Sequence, residues 1–155
     1  MKNLALIFAL LLFSAAAIAQ KPDLSGDWKL NESKSDLGYD FSMAPVSLAL
    51  DHTKKTLDMK ATNVWDGQEI VNESHLTLDG KECENTGMGG TTVTSTAVVD
   101  KKAKTITIET NGYADGIGDW TSVQVLSMKE DNLVVAFEAA SDMGSITETY
   151  VFDKQ

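Results

Sequence analysis

The sequence predicts an all-β fold: an antiparallel up-and-down barrel of about eight to ten strands. Three observations point there. Apolar and polar residues alternate with a period of two in run after run, which sends successive side chains to opposite faces of a sheet. Turn-forming residues separate the runs at short intervals and leave no room for crossover helices. Threonine and valine recur from residue 46 onward, while proline occurs only at Pro22 and Pro45. No stretch after residue 20 has a helical period.

The elements follow in order. Residues 1–19 read as an export signal: Lys2 is the positive start, Leu4 to Phe13 form a short apolar run, and Ala17 and Ala19 sit where a signal peptidase needs small residues. The run is too short for a membrane anchor, and no cysteine follows the cleavage site to carry a lipid. Residues 20–155 then form one domain, soluble and exported, in the periplasm or secreted. Its expected strands are 24–31, 46–52, 56–65, 68–78, 81–86, 91–99, 104–111, 119–129, 132–140 and 145–153. Val46, Leu48 and Leu50 share one face, as do Leu57, Met59 and Ala61, then Ile106 and Ile108, then Leu133, Val135 and Phe137, and finally Ile146, Tyr150 and Phe152. Asp66-Gly67 and Asp79-Gly80 are dipeptides that tolerate the positive φ of tight hairpin turns. The one long irregular segment, Glu32 to Pro45, carries Tyr39, Phe41 and Met43 among polar residues and suits a packed lid. A meander of this length must curl, and closure removes its edges; the short links favour a barrel over a two-layer sandwich.

Composition narrows the function. The 155-residue chain has a formal net charge of −10 and contains no arginine. Loss of Lys2 with the signal makes it one unit more negative. Such a chain is poorly suited to nucleic acid or an anionic membrane. The single cysteine, Cys83, cannot form an internal disulfide, and two histidines without a third ligand in a recognisable motif do not make a metal site.

No motif assembles a catalytic centre. Cys83 and His75 flank the Asp79-Gly80 turn, but Glu82 and Glu84 oppose thiolate formation, so an inert cysteine is expected. Asp115-Gly116-Ile117-Gly118-Asp119 lacks the dense oxygen ligands of a calcium loop. Gly87-Met88-Gly89-Gly90 has neither the Lys-Ser/Thr nor the helix of a phosphate cradle. No catalytic residue, metal or cofactor is therefore expected. The aromatics are more informative: Trp65 ends a strand beside the Asp66-Gly67 turn, Trp120 starts one, and Tyr113 lies near the Asp115 loop. With Tyr39, Phe41 and Met43 they are candidates to line a ligand mouth, or else to cover the end of the core.

Asp23-Leu24-Ser25-Gly26-Asp27-Trp28 carries a Gly-x-Trp signature on the first strand and resembles the lipocalins and their calycin relatives. The longer run through Asn31, Lys34 and Ser35, together with Leu78-Asp79-Gly80-Lys81-Glu82 and Phe152-Asp153-Lys154-Gln155, resembles exported bacterial lipocalin-like proteins across nearly the whole domain. The resemblance implies that Trp28 plugs the closed end of the barrel and that Gly26 lets another backbone approach. It also implies a cation over Trp28, a place that only Lys154 could take here. The leading expectation is an exported protein holding a small, mostly apolar ligand inside the barrel. The alternative is a filled barrel acting in the cell envelope through its outer face. Oligomeric state and ligand identity are not encoded in any motif.

Overall fold

The computed structural model describes residues 23–38 and 41–155. Residues 1–19, expected to be an export signal, and Tyr39 lie outside the described residues. Ten strands follow one another: β1 (Gly26–Leu30), β2 (Ser47–His52), β3 (Thr56–Trp65), β4 (Gln68–Thr77), β5 (Cys83–Thr86), β6 (Thr92–Asp100), β7 (Thr105–Ala114), β8 (Gly118–Lys129), β9 (Asn132–Ser141) and β10 (Gly144–Lys154). They form one antiparallel sheet in the order β4-β3-β2-β1-β10-β9-β8-β7-β6-β5. The first and last strands pair, Trp28 opposite Lys154 and Leu30 opposite Phe152, so the sheet curls into a nearly closed barrel. Each expected strand is present, its ends within about three residues of the expected ones.

One expected hairpin is different. Asp66 and Gly67 take positive φ and close β3 onto β4, with Trp65 opposite Gln68. Asp79-Gly80 does not do the same for β4 and β5. Asp79 bridges to Val98 and the Gly80 N–H donates to the Ala97 carbonyl at 3.0 Å, so this link pairs with β6. β4 and β5 are left as the two sides of a seam without a backbone ladder. Side chains close it instead: Asn85 Oδ1 accepts the His75 N–H at 2.7 Å, and Cys83 Sγ accepts the Thr77 N–H at 3.4 Å. His75 itself turns outward to pair with Asp58, so the seam does not bring Cys83 and His75 together as a catalytic pair.

The inward rows change character along the barrel. At one end they are large and apolar: Trp28, Leu57, Leu76, Ile106, Leu133 and Phe152 are essentially inaccessible to solvent. Burying each such side chain stabilises the fold by about 1.5–3 kcal/mol, so this half supplies most of the hydrophobic driving force. Trp28 Nε1 donates to the Leu24 carbonyl at 3.0 Å, satisfying its polar atom inside the plug. Lys154 Nζ lies 5.5 Å above the Trp28 ring, a cation–π contact in the place the resemblance suggested. Gly26 has φ of +136°, and a Cβ there would meet the Lys154 side chain at 3.0 Å. The close approach at Gly26 is therefore by a side chain, not by another backbone.

The terminal motifs interlock beside this plug. After β1, a single 3-10 turn (Glu32–Lys34) is capped by Asn31, whose Oδ1 accepts the Lys34 N–H. Asn31 Nδ2 and Lys34 Nζ both reach Asp153, at 2.6 and 2.9 Å, and Asn132 Nδ2 joins them at 2.6 Å. Lys34 and these amides hold the Asp153 carboxyl below its usual range. Ser35 Oγ accepts the Val151 N–H. Two short motifs some 120 positions apart are thus one clasp.

Beyond Ser35 the chain runs along β10, bridging Asp36 to Thr149, and then crosses the other end of the barrel. Glu148 holds it there. Its side chain is only 2% exposed, the sole buried charged group among the described residues. Oε1 accepts the Gly38 N–H at 2.7 Å; Oε2 accepts the Met43 N–H at 3.0 Å and the Tyr150 hydroxyl at 2.7 Å. Burial pushes the Glu148 carboxyl up, but the donors from Gly38, Tyr150 and Met43, with Ser42, outweigh it and leave the pKa below the ordinary glutamate value.

Two outcomes are expected. Trp28→Ala should lose about 3–5 kcal/mol in denaturant titration, because the closed end cannot collapse onto so large a cavity. Glu148→Gln should lose about 2–3 kcal/mol at neutral pH, since an amide nitrogen replaces an acceptor of charged hydrogen bonds. The depressed pKa means that this stabilisation is complete above the ordinary glutamate range and is lost as pH falls below it. Stability measured against pH should therefore decline more steeply in acid for the native chain than for Glu148→Gln.

Candidate ligand-binding site

Following the inward rows past the plug, the residues become small or polar. On β3 the row reads Leu57, Met59, Ala61, Asn63; on β8, from the plug outward, Leu126, Gln124, Ser122, Trp120. These side chains do not fill the barrel. Past Leu57 and Leu126 they surround a chamber of about 200 Å³ whose apolar walls include Leu48, Leu76, Ile108 and Val135. Phe137 and Tyr150 stack at 5.5 Å between its wall and the plug. Asn63, Asn72, Ser74, Ser122 and Gln124 supply neutral polar groups to the same chamber. Ser95 and Thr110 add a pair of hydroxyls that hydrogen-bond to each other at 2.9 Å.

A second, more apolar pocket of about 390 Å³ lies at the mouth, among Phe41, Ile117, Met143 and Ile146. Met43, Trp120 and Ala139 line both spaces, so they form the throat between them. Trp120 can lie flat there because β7 has glycine opposite: a Cβ on Gly112 would come within 2.6 Å of the indole ring. The chamber, throat and mouth match the usual form of a small-molecule site, concave and apolar with a few polar groups.

The expected mouth residues separate. Phe41, Met43 and Trp120 come together around the throat and mouth. Trp65 lines neither space; it is 60% exposed and meets Phe41 edge-on at 5.9 Å, buttressing the crossing segment from outside. Tyr113 also lines neither. It follows the inward Gly112 and so points outward, 56% exposed. Sequence reasoning missed Glu148, which shares its face with Ile146, Tyr150 and Phe152, and the polar row of Asn63, Asn72, Ser122 and Gln124. Their signal was available: each is a polar residue in the inward phase of its strand.

Burial and the adjacent Glu148 carboxylate push the Tyr150 hydroxyl far above the usual tyrosine range, so it stays protonated. A wider hollow of about 740 Å³ opens beside the β4–β5 seam, walled by Asp51, Asp58, Lys60, Glu73, His75 and Glu84. Its charges are exposed; Lys60 pairs with Glu73, and His75 Nδ1 is paired with Asp58. It is a solvated surface, and no group of three or more metal-ligating side chains is found among the described residues.

No protein-family model matches the chain, and neither does any curated protein. Among solved structures, the zebrafish ileal bile acid-binding protein, crystallised with cholic acid, is similar at a TM-score of 0.52 and 14% identity, over 84% of this chain and 98% of that one. The fatty-acid-binding protein of Manduca sexta covers the same shares at a TM-score of 0.49 and 16% identity. The likeness at such identities is one of fold. The chain is a nearly closed, ten-stranded antiparallel barrel that shares its fold with the zebrafish protein.

Proposed function

We propose that this protein is an exported carrier that holds one small, mostly apolar molecule in the open half of its barrel. The observation that carries the proposal is the hollow itself. One half of the barrel is packed solid around Trp28, while the other keeps a chamber that opens through Met43, Trp120 and Ala139 to an apolar mouth. A protein whose interior served stability alone would fill that space, because voids forfeit dispersion contacts. The similar zebrafish barrel holds cholic acid, a bulky amphipathic molecule, which supports the same use here. The export segment and the acidic, arginine-free composition support a soluble carrier outside the cytoplasm. The alternative of a filled barrel leaves the chamber unexplained.

Protein isolated from native cells, unfolded and extracted, should release a small molecule in about a one-to-one ratio, read by mass spectrometry. Recombinant protein should bind the neutral fluorophore N-phenyl-1-naphthylamine. Ala139→Phe, which blocks the throat, should weaken that binding at least about tenfold while near-ultraviolet circular dichroism still reports a folded barrel. A folded, blocked variant that binds as well as the native chain would remove the chamber as the site.

A further inference from the structure

The geometry points to a ligand without charge: an apolar body carrying neutral hydrogen-bonding groups such as hydroxyl, carbonyl or amide, and no carboxylate. This inference rests on the carrier reading and narrows it. Among the described residues, neither the chamber nor the mouth has a formally charged side chain in its wall. The chain has no arginine, and every lysine among the described residues is exposed. Of the histidines, His75 is outside, paired with Asp58, and His52 is engaged at the closed end, where its Nδ1 accepts the Leu24 N–H. Among the described residues, no cation therefore stands where a buried carboxylate could use it.

The buried charge beside the chamber is of the wrong sign. Glu148 lies directly behind Tyr150, whose ring lines the chamber and whose hydroxyl donates to Oε2 at 2.7 Å. With its proton committed there, Tyr150 can offer the chamber only a lone pair. The depressed pKa keeps Glu148 ionised, so an anionic ligand would meet like charge in a low-dielectric interior and lose its hydration without a partner.

The wall instead offers neutral donors and acceptors. Asn63, Asn72 and Gln124 face the chamber, and their side-chain amides make no hydrogen bond to another group among the described residues. Among the described residues, no side-chain nitrogen or oxygen that is sealed from solvent lacks a partner. The free amides are thus reachable from the chamber and need water or a ligand's polar group to satisfy them. An amide both donates and accepts, which suits hydroxyls and carbonyls and gives no preference for an anion.

The test uses the processed chain and a chain-length-matched pair, 1-decanol and decanoate, each displacing N-phenyl-1-naphthylamine. At about pH 8, where decanoate is ionised, decanol should displace the probe at a concentration at least about tenfold lower. The gap should close as pH falls toward about 5 and the acid becomes neutral. Gln124→Lys, which places a cation in the chamber wall, should shift the preference toward decanoate. Decanoate binding the native chain as tightly as decanol at the higher pH would overturn this inference while leaving the carrier reading intact. Failure of the probe and both compounds to bind would overturn both.

Discussion

The open end of this barrel is organised by one buried carboxylate. Glu148 faces inward from β10, and through three hydrogen bonds it ties Gly38, Met43 and Tyr150 to a single point. A buried charge is tolerated only when its lone pairs are filled, and these are filled largely by backbone N–H groups of the crossing segment. The dependence runs both ways. The segment needs Glu148 to satisfy its amides, and Glu148 needs the segment to remain charged out of water. The position of Met43 in the throat follows, as does that of Phe41 at the mouth. So does the negative potential behind the chamber wall.

Division of labour along the barrel explains how such an interior is compatible with folding. Polar residues in the inward rows give up hydrophobic stabilisation, and an unfilled chamber gives up packing as well. The closed half offsets both, with its row of large aliphatic and aromatic side chains and the clasp between Asn31, Lys34 and Asp153. The seam between β4 and β5 is a similar compromise. Asn85 and Cys83 replace part of a missing ladder, so two strand edges are occupied without forcing the barrel to close.

Much of this was legible from the residues alone, because period two is a local property. Strand positions follow from alternation such as Leu57-Met59-Ala61, and the Asp66-Gly67 hairpin from the positive φ its residues tolerate. Pairing partners across the chain are not local, and there the reading departs from the structure. Asp79-Gly80 has the same turn chemistry as Asp66-Gly67, but its backbone groups find partners on β6. Trp65 and Tyr113 were plausible mouth residues by their nearness to turns. The phase of Tyr113 places it outside, and the position of Trp65 at the hairpin tip leaves it largely exposed against Phe41. Glu148 does not stand out in the sequence, because a carboxylate between Ile146 and Tyr150 reads as an interruption of an apolar face. It belongs to that face, and the segment that satisfies it lies more than a hundred residues away.

The same inward phase that hides Glu148 also separates what the barrel must keep from what it is free to vary. A large apolar residue in that phase near Trp28 reports stability, whereas a polar one toward the hairpin tips at Asp66, Asp115 and Asp142 reports the chamber. Glu148 sits where the two regimes meet, with Tyr150 and Phe152 leading down into the plug and Ile146 leading up to the mouth. Its charge therefore acts on both: it anchors the segment that bounds the mouth, and it biases the chamber against anions. A barrel with a cation at that position would have to hold the segment by other means. Lid attachment and ligand charge are coupled through this one side chain, and neither can change without the other.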